Sequence, residues 1–160
     1  MCIRKIIESD WDSIEQIQAQ SYYEVEPEDI SVLKSKWVVS PCTCKVFAYD
    51  GCVLGYLLAH PWAKKAPPKL HEKITVSEKA CSRLYLHDLA VDQHSRGNGV
   101  AHRLVEDLLE TALAANVQEI MLVSVQLTTP FWSRYGFKKD NNVAICQSYG
   151  PSGCLMRKEM

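Results

Sequence analysis

The 160-residue sequence has no apolar run long enough to cross a bilayer, and its opening MCIRKIIESDWD lacks the hydrophobic stretch of a secretory signal. A cytoplasmic protein with no membrane partner is the expectation. The chain also lacks an excess of charge of either sign: 18 Lys and Arg stand against 19 Asp and Glu, a net charge of −1. Nothing here supplies the basic field that a nucleic-acid backbone needs, so no nucleic-acid partner is expected. Seven cysteines are present, but none forms a C-x-x-C pair with zinc spacing, and Cys42-Thr43-Cys44 has no second ligand pair to match it. They read as reduced, mostly buried thiols, with no metal. Internal repeats and low-complexity segments are absent as well.

What is present is ordinary for a folded protein: 47% hydrophobic and 23% charged residues, in a length that suits one domain spanning residues 1–160. Ile3 to Ile7 predicts a first strand. Ser9 or Asp10 then caps a helix whose apolar positions Trp11, Ile14 and Ile17, with Tyr22 as a further candidate, recur at helical spacing. Glu28 to Val39 predicts a second helix, stopped before Pro41. Lys45 to Tyr49 and Cys52 to His60 flank Asp50-Gly51, a hairpin signal that makes them antiparallel neighbours. From Pro61 to Ser82 the pattern dissolves into a long loop; such loops cover a site or are simply solvated, and the solvated form is expected here. Arg83 to Val91 predicts a strand and Gly97 to Ala115 a helix, with one apolar face through Val100, Leu104 and Leu108 and Asn116 as its left-handed stop. Glu119 to Val125 is a further strand, followed by a short helix through Phe131 and Trp132. Val143 to Ser148 and Cys154 to Arg157 are expected to close the sheet around Gly150-Pro151-Ser152-Gly153.

The segment LYLHDLAVDQHSRGNGVAH, Leu84 to His102, carries the most chemistry. A strand runs into a glycine loop that opens a strong helix, so free backbone amides and the positive end of the helix dipole meet an approachable backbone at Gly97 and Gly99. An anion such as a phosphate can dock there, with Arg96 adding a charged hydrogen bond. A dinucleotide fold wants a third glycine where His102 stands, and a P-loop wants Gly-Lys-Ser or Gly-Lys-Thr, which is absent. A tight turn without a ligand remains the plain alternative.

The whole arrangement resembles the GNAT superfamily of acyl-CoA-dependent N-acetyltransferases. Leu89-Ala90-Val91 ends the strand, and His94-Ser95-Arg96-Gly97-Asn98-Gly99-Val100-Ala101 supplies a loop similar to that family's (Gln or Arg)-x-x-Gly-x-(Gly or Ala), with His94 a departure at its first position. Phe131-Trp132-Ser133-Arg134-Tyr135-Gly136-Phe137 resembles the family's Phe-Tyr-x-x-x-Gly-Phe. The resemblance spans nearly the whole chain and implies a mixed α/β fold (α+β), in which a mostly antiparallel sheet of about seven strands is flanked by about four helices. It implies acetyl-CoA as cosubstrate, with the pyrophosphate on the amides of Arg96 to Ala101 and the pantetheine arm paired to the backbone of Leu89 and Val91. Ala90, Phe131 and Trp132 complete the implied cofactor-binding set.

An amine with a pKa of about 10.4 must lose a proton before it can attack. His87 and Asp88 stand just before the cofactor segment, and strict strand alternation would put them on opposite faces, Asp88 with Leu84, Leu86 and Ala90, and His87 with Tyr85 and Leu89. Either serves as a base, directly or through water; alternatively Asp88 accepts backbone hydrogen bonds and His87 is a satisfied core residue. Glu24, Glu26 and Glu28 line the acceptor pocket or face solvent. The family tyrosine that protonates the leaving thiolate falls at Trp132, which has no titratable proton; Tyr135, about one helical turn on, is the substitute candidate, with packing as its expected role. The expected function is acetyl transfer to a primary amine of a small molecule by direct attack in a ternary complex. A peptide or protein amine acceptor, a catalytically weak acyl-CoA-binding module and a nucleotide-binding module are the rivals. The resemblance also admits a homodimer through the C-terminal strands.

Overall fold

The computed structural model describes residues 1–75 and 81–160; Val76 to Ala80, part of the expected loop Pro61 to Ser82, lie outside the described residues. Seven strands and four helices follow one another as β1 (Cys2–Lys5), α1 (Trp11–Ser21), α2 (Ile30–Val39), β2 (Cys44–Tyr49), β3 (Cys52–Pro61), β4 (Arg83–Val91), α3 (Val100–Ala114), β5 (Glu119–Ser124), α4 (Thr129–Ser133), β6 (Lys138–Lys139) and β7 (Cys154–Glu159). They form one sheet in the order β1-β2-β3-β4-β5-β7-β6, in which the β4–β5 pair is parallel and every other described pair is antiparallel. The expected mixed, mostly antiparallel seven-stranded sheet with four helices is thus the fold found.

The local signals explain most boundaries. Asp50 and Gly51 both have positive φ, which closes the β2–β3 hairpin with the twist its strands need. Asn116, at φ 55°, ends the α3 region in the left-handed conformation expected of it. The second helix starts two residues later than expected, at Ile30, because the Asp29 carboxylate accepts the Ser31 amide at 2.8 Å and so fixes the N-cap. The third starts at Val100 rather than Gly97, since Gly97 and Gly99 both take positive φ, which no right-handed helix accepts.

One expected strand is not there. Val143 to Ser148 contains no strand; the outer edge of β7 is taken instead by Lys138–Lys139, directly after Phe137, and the Asp140 amide continues the contact to the Leu155 carbonyl at 2.9 Å. With that edge filled, Val143 and Ile145 satisfy their apolar character by packing against the Tyr85, Met121 and Leu155 cluster. Hydrophobic β-branched residues signal burial, and pairing is only one way to achieve it.

Besides the Tyr85, Met121 and Leu155 cluster, two larger cores of the described residues sandwich the sheet. On one face Val100, Leu104, Val105, Leu108 and Ala112 of α3 pack against Phe47, Leu57, Leu84, Leu86, Ile120 and Leu122. On the other, Ile14, Ile17 and Leu33 of α1 and α2 meet Val46, Tyr56, Leu58 and Ala90. Gly55 lets the start of α3 approach the sheet: a Cβ there would stand 2.8 Å from Val100 Cγ1 and 3.0 Å from the Ala90 carbonyl oxygen. Gly55→Ala is therefore expected to destabilise the protein by about 1–3 kcal/mol through overpacking, read as a lower urea midpoint at unchanged slope.

Candidate active site

Two features of β4 build the site. The first is a β-bulge. Leu58 of β3 faces Asp88, but the next residue, Ala59, faces Leu86, so His87 is the extra residue on β4. Alternation is reset there. Leu84 and Leu86 join the α3-side core, whereas Asp88 bonds to Tyr22 and Tyr56 and Ala90 packs in the α1 and α2 core. The expectation that His87 and Asp88 point to opposite faces, with Asp88 beside Leu84 and Leu86, is thereby overturned: both line the same cavity. Strict period-2 counting fails where one residue is inserted between ladder pairs.

The second feature is a splay. β4 and β5 pair only from Arg83↔Glu119 to Leu86↔Leu122. Beyond that, Leu89, Ala90 and Val91 stay paired with β3, while among the described residues no strand meets their β5-facing edge. The gap is a cavity of about 350 Å³ with Leu89, Ala90, Val91, Phe131 and Trp132 in its wall. A second cavity of about 460 Å³, bordered by Gly97, Gly99, Val100 and Tyr135, shares Val91, Arg96, Ala101 and Phe131 with the first, so the two adjoin.

This second cavity fits a phosphate-bearing ligand. The α3 N-terminus has no side-chain cap and no acidic residue in its first turn, which leaves its free amides and dipole uncompensated by the protein. No atom lies within 4 Å of where a Cβ would stand on Gly97 or Gly99, so the turn is open on that side. His94 and Asn98 line neither cavity; the His94 amide is instead held by Asp92 Oδ2 at 2.9 Å, which shapes the turn. Among the described residues no group of three His, Cys, Asp or Glu side chains is placed to hold a metal, and no helix is long and apolar enough to cross a membrane.

Polar groups converge on the first cavity. Asp88 accepts hydrogen bonds on both carboxylate oxygens, from the Tyr22 hydroxyl on Oδ1 and from the Tyr56 hydroxyl at 2.6 Å on Oδ2. Burial pushes its pKa above the usual carboxylate range despite those bonds and the nearby His87. The phenols of Tyr22 and Tyr56 are raised in turn, first by burial and then by the Asp88 charge. His87 Nε2 lies 2.5 Å from Glu28 Oε1. Burial works to raise the pKa of Glu28, but His87, the His71 amide and Lys36 together outweigh it and bring it down to about 2. His87 Nδ1 is buried without a partner, and so is Nε2 of the adjacent His60.

Glu28 is a hub that sequence reasoning placed only as a pocket or surface acid. Its carboxylate also accepts the His71 amide at 2.8 Å, and its backbone is clamped on both sides by Gln18 of α1. The fully buried Lys36 donates to the Glu72 carbonyl at 2.7 Å, and the Tyr149 hydroxyl donates to the Pro68 carbonyl. Residues 68–74 are thus anchored to α2 and to Glu28, and Leu70 joins the wall of the first cavity. The expected solvated loop is, over this part, a fastened cover. Tyr56, Gln18 and Lys36 carry no local signal of this cluster, because their partners lie elsewhere in the chain. The run Glu24, Glu26, Glu28 was the only local signal nearby.

Trp132 and Tyr135 border different cavities. Trp132 is 7% exposed, stacks edge-on against Phe131 and Phe137, and lines the first cavity. Tyr135 borders the second cavity only, with its hydroxyl 2.8 Å from His102 Nδ1, and partial burial raises its pKa.

Comparison with known proteins agrees with this geometry. No curated protein sequence matches the chain significantly. Among solved structures it superimposes on the loading GNATL domain of CurA from Lyngbya majuscula, with a TM-score of 0.78 and 12% identity over 99% of this chain and 96% of that one. Rv2747 from Mycobacterium tuberculosis, solved in complex with CoA, matches with a TM-score of 0.74 and 15% identity over 100% and 99% of the two chains. Naa50 from Arabidopsis thaliana, bound to the bisubstrate analogue CoA-Ac-MVNAL, matches with a TM-score of 0.71 and 17% identity over 99% and 98%. Residues 11–137 match the sequence model of the acetyltransferase (GNAT) family, and the chain belongs to that family.

Proposed function

We propose that this chain is an N-acetyltransferase that moves the acetyl group of acetyl-CoA to a primary amine of a small molecule by direct attack in a ternary complex. The observation that carries this reading is the unpaired edge of Leu89 to Val91, running straight into an open, uncapped glycine turn. Those backbone groups would hold the pantetheine arm like an added strand, and the turn from Arg96 to Ala101 would hold the pyrophosphate. Bound acetyl-CoA supplies an acyl carbon activated by its thiol leaving group. A backbone amide of Leu89 or Val91 aimed at the developing oxyanion contributes about a hundredfold or more in rate. Deprotonation of the acceptor falls to the polar cluster on β4, where His87 and Asp88 share one cavity.

The anchoring of residues 68–74, with Leu70 in the cavity wall, supports a small acceptor rather than an extended peptide. A cavity of about 350 Å³ suits a ligand of that size. Glu28 and Asp88 favour a cationic amine. The test is transfer from acetyl-CoA to a panel of small primary amines and short peptides, followed by CoA release and product mass. Small cationic amines are expected to turn over fastest. A panel in which only peptides react would shift the acceptor to peptide amines, and CoA binding without any transfer would leave a binding module.

Tyr135 packs against Phe131 and bonds to His102 beside the turn. Its hydroxyl therefore acts on the turn's geometry rather than on the leaving group. Tyr135→Phe is expected to lower turnover less than about tenfold, below the range of a positioned acid. A hundredfold loss with acetyl-CoA binding intact would make it the acid.

A further inference from the structure

We infer that Tyr22 and Asp88 form the proton relay that deprotonates the acceptor, with Tyr22 the group that touches the amine, Asp88 the final proton acceptor and Tyr56 the residue that positions Asp88. The inference rests on the acetyltransferase reading above. Three observations select this pair over His87. His87 is committed through Nε2 to Glu28, its side chain is 1% exposed, and its Nδ1 is shut off from solvent with no partner. Asp88 has both oxygens covered by phenols, so a substrate reaches it only through one of them. Of the two, Tyr56 is fully buried, whereas Tyr22 is half-buried and borders the cavity. The Tyr22 hydroxyl also lies 3.4 Å from the Leu89 carbonyl oxygen, at the start of the unpaired β4 edge. It stands where the acyl group and the amine must meet.

The Tyr22 hydroxyl donates to Asp88 Oδ1 and keeps lone pairs free to accept. The ammonium proton passes to the Tyr22 oxygen while the proton of Tyr22 passes to Asp88, and the freed nitrogen lone pair forms the bond to the acetyl carbon. As the carbon–sulfur bond breaks, the second proton lost by nitrogen goes to the departing thiolate. Asp88 then returns its proton through Tyr22 to solvent, so one proton is released per turnover. The titratable and charged groups facing the pair are Tyr56 from β3, His87 on β4, Tyr23, Glu26 and Glu28 from the segment between α1 and α2, and Arg96 and Tyr149 across the cavity.

The experiment is the pH profile of kcat with acetyl-CoA and the fastest small amine of the panel, for the unaltered protein, Tyr22→Phe and Tyr56→Phe, with calorimetric acetyl-CoA binding as the check on folding. Tyr22→Phe is expected to lower kcat about a hundredfold with acetyl-CoA binding unchanged, and its rate should then climb continuously with pH as hydroxide replaces the relay. Tyr56→Phe removes one hydrogen bond from ionised Asp88, so the ascending limb moves to higher pH while turnover on the plateau persists. Tyr22→Phe activity within about threefold of the unaltered protein, with the same ascending limb, overturns the relay alone. Should Tyr22→Phe fail to bind acetyl-CoA, the Tyr56→Phe limb decides: a shift upward supports the relay and an unmoved limb overturns it. No transfer by the unaltered protein overturns the acetyltransferase reading and the relay with it.

Discussion

Glu28→Ala is expected to lower the free energy of unfolding by about 3–5 kcal/mol, because it leaves several buried polar partners unsatisfied at about 1–3 kcal/mol each. The cost is large because three parts of the fold lean on this carboxylate: β4, the segment at His71 and α2. His87 of β4 loses the acceptor for Nε2 and is left with neither ring nitrogen paired. The His71 amide loses its acceptor, which loosens the cover, and buried Lys36 loses its nearest compensating charge. Glu28→Gln keeps the shape and an acceptor oxygen, so it should lose clearly less. Urea unfolding at neutral pH measures both. A loss below about 1 kcal/mol for Glu28→Ala would mean that the hub is only a surface-like contact.

Acid should destabilise the protein in two stages, the first of them caused by His60. Its ring is fully buried, donates through Nδ1 to the Pro61 carbonyl at 2.9 Å, and is held down to about 3 by burial and by neighbouring His87. In the unfolded chain the same ring titrates near 6.5. The folded pKa is the depressed one, so the unfolded state takes up the proton first as pH falls. The neutral ring's contribution is complete above about 6.5 and is lost toward 3, at up to about 1.4 kcal/mol for each pH unit. Glu28 adds the second stage. Its folded pKa of about 2 lies below the ordinary 4.5, so its contribution is present above about 4.5 and disappears between there and 2. His60→Leu, similar in volume and without a proton to gain, should flatten the stability profile between pH 6.5 and 4.5 and leave the lower stage in place. A profile equally steep in the variant would assign the first stage to another group.

What could be read from sequence here was what is decided locally. The glycine turn at Gly97 and Gly99 needs only its own φ values and the helix that follows, so LAVDQHSRGNGVA announced it. The Asp50-Gly51 hairpin and the Asn116 stop were legible for the same reason. The bulge at His87 was not, because it exists only relative to Leu58 and Ala59 on another strand, and no count along β4 contains it. That single inserted residue decides which face Asp88 occupies, so Asp88 leaves the face of Leu84 and Leu86 while His87 stays beside Tyr85. The pairs Tyr22–Asp88, Tyr56–Asp88 and Glu28–His87 are separated by 66, 32 and 59 residues. No local pattern in the sequence contains both members of any of these pairs. Val143 to Ser148 shows the converse error, where a true burial signal was read as strand pairing.

The bulge and the splay also serve each other. Shifting Asp88 onto the α1 and α2 face puts a carboxylate beside the cavity without placing it in the α3-side core. The splay leaves the backbone of the next three residues free of β5. The proposed sites of substrate deprotonation and cofactor binding therefore fall on adjacent residues of one strand.

The most direct test of the central claim is calorimetric titration of the full chain with acetyl-CoA, with ATP and NAD as controls. The unpaired β4 edge and the open turn predict one acetyl-CoA per chain, bound selectively over both nucleotides and weakened when Gly99→Val crowds the turn. Equal affinity for all three ligands, or no binding of acetyl-CoA by the folded protein, would contradict it and reduce the turn to a structural corner.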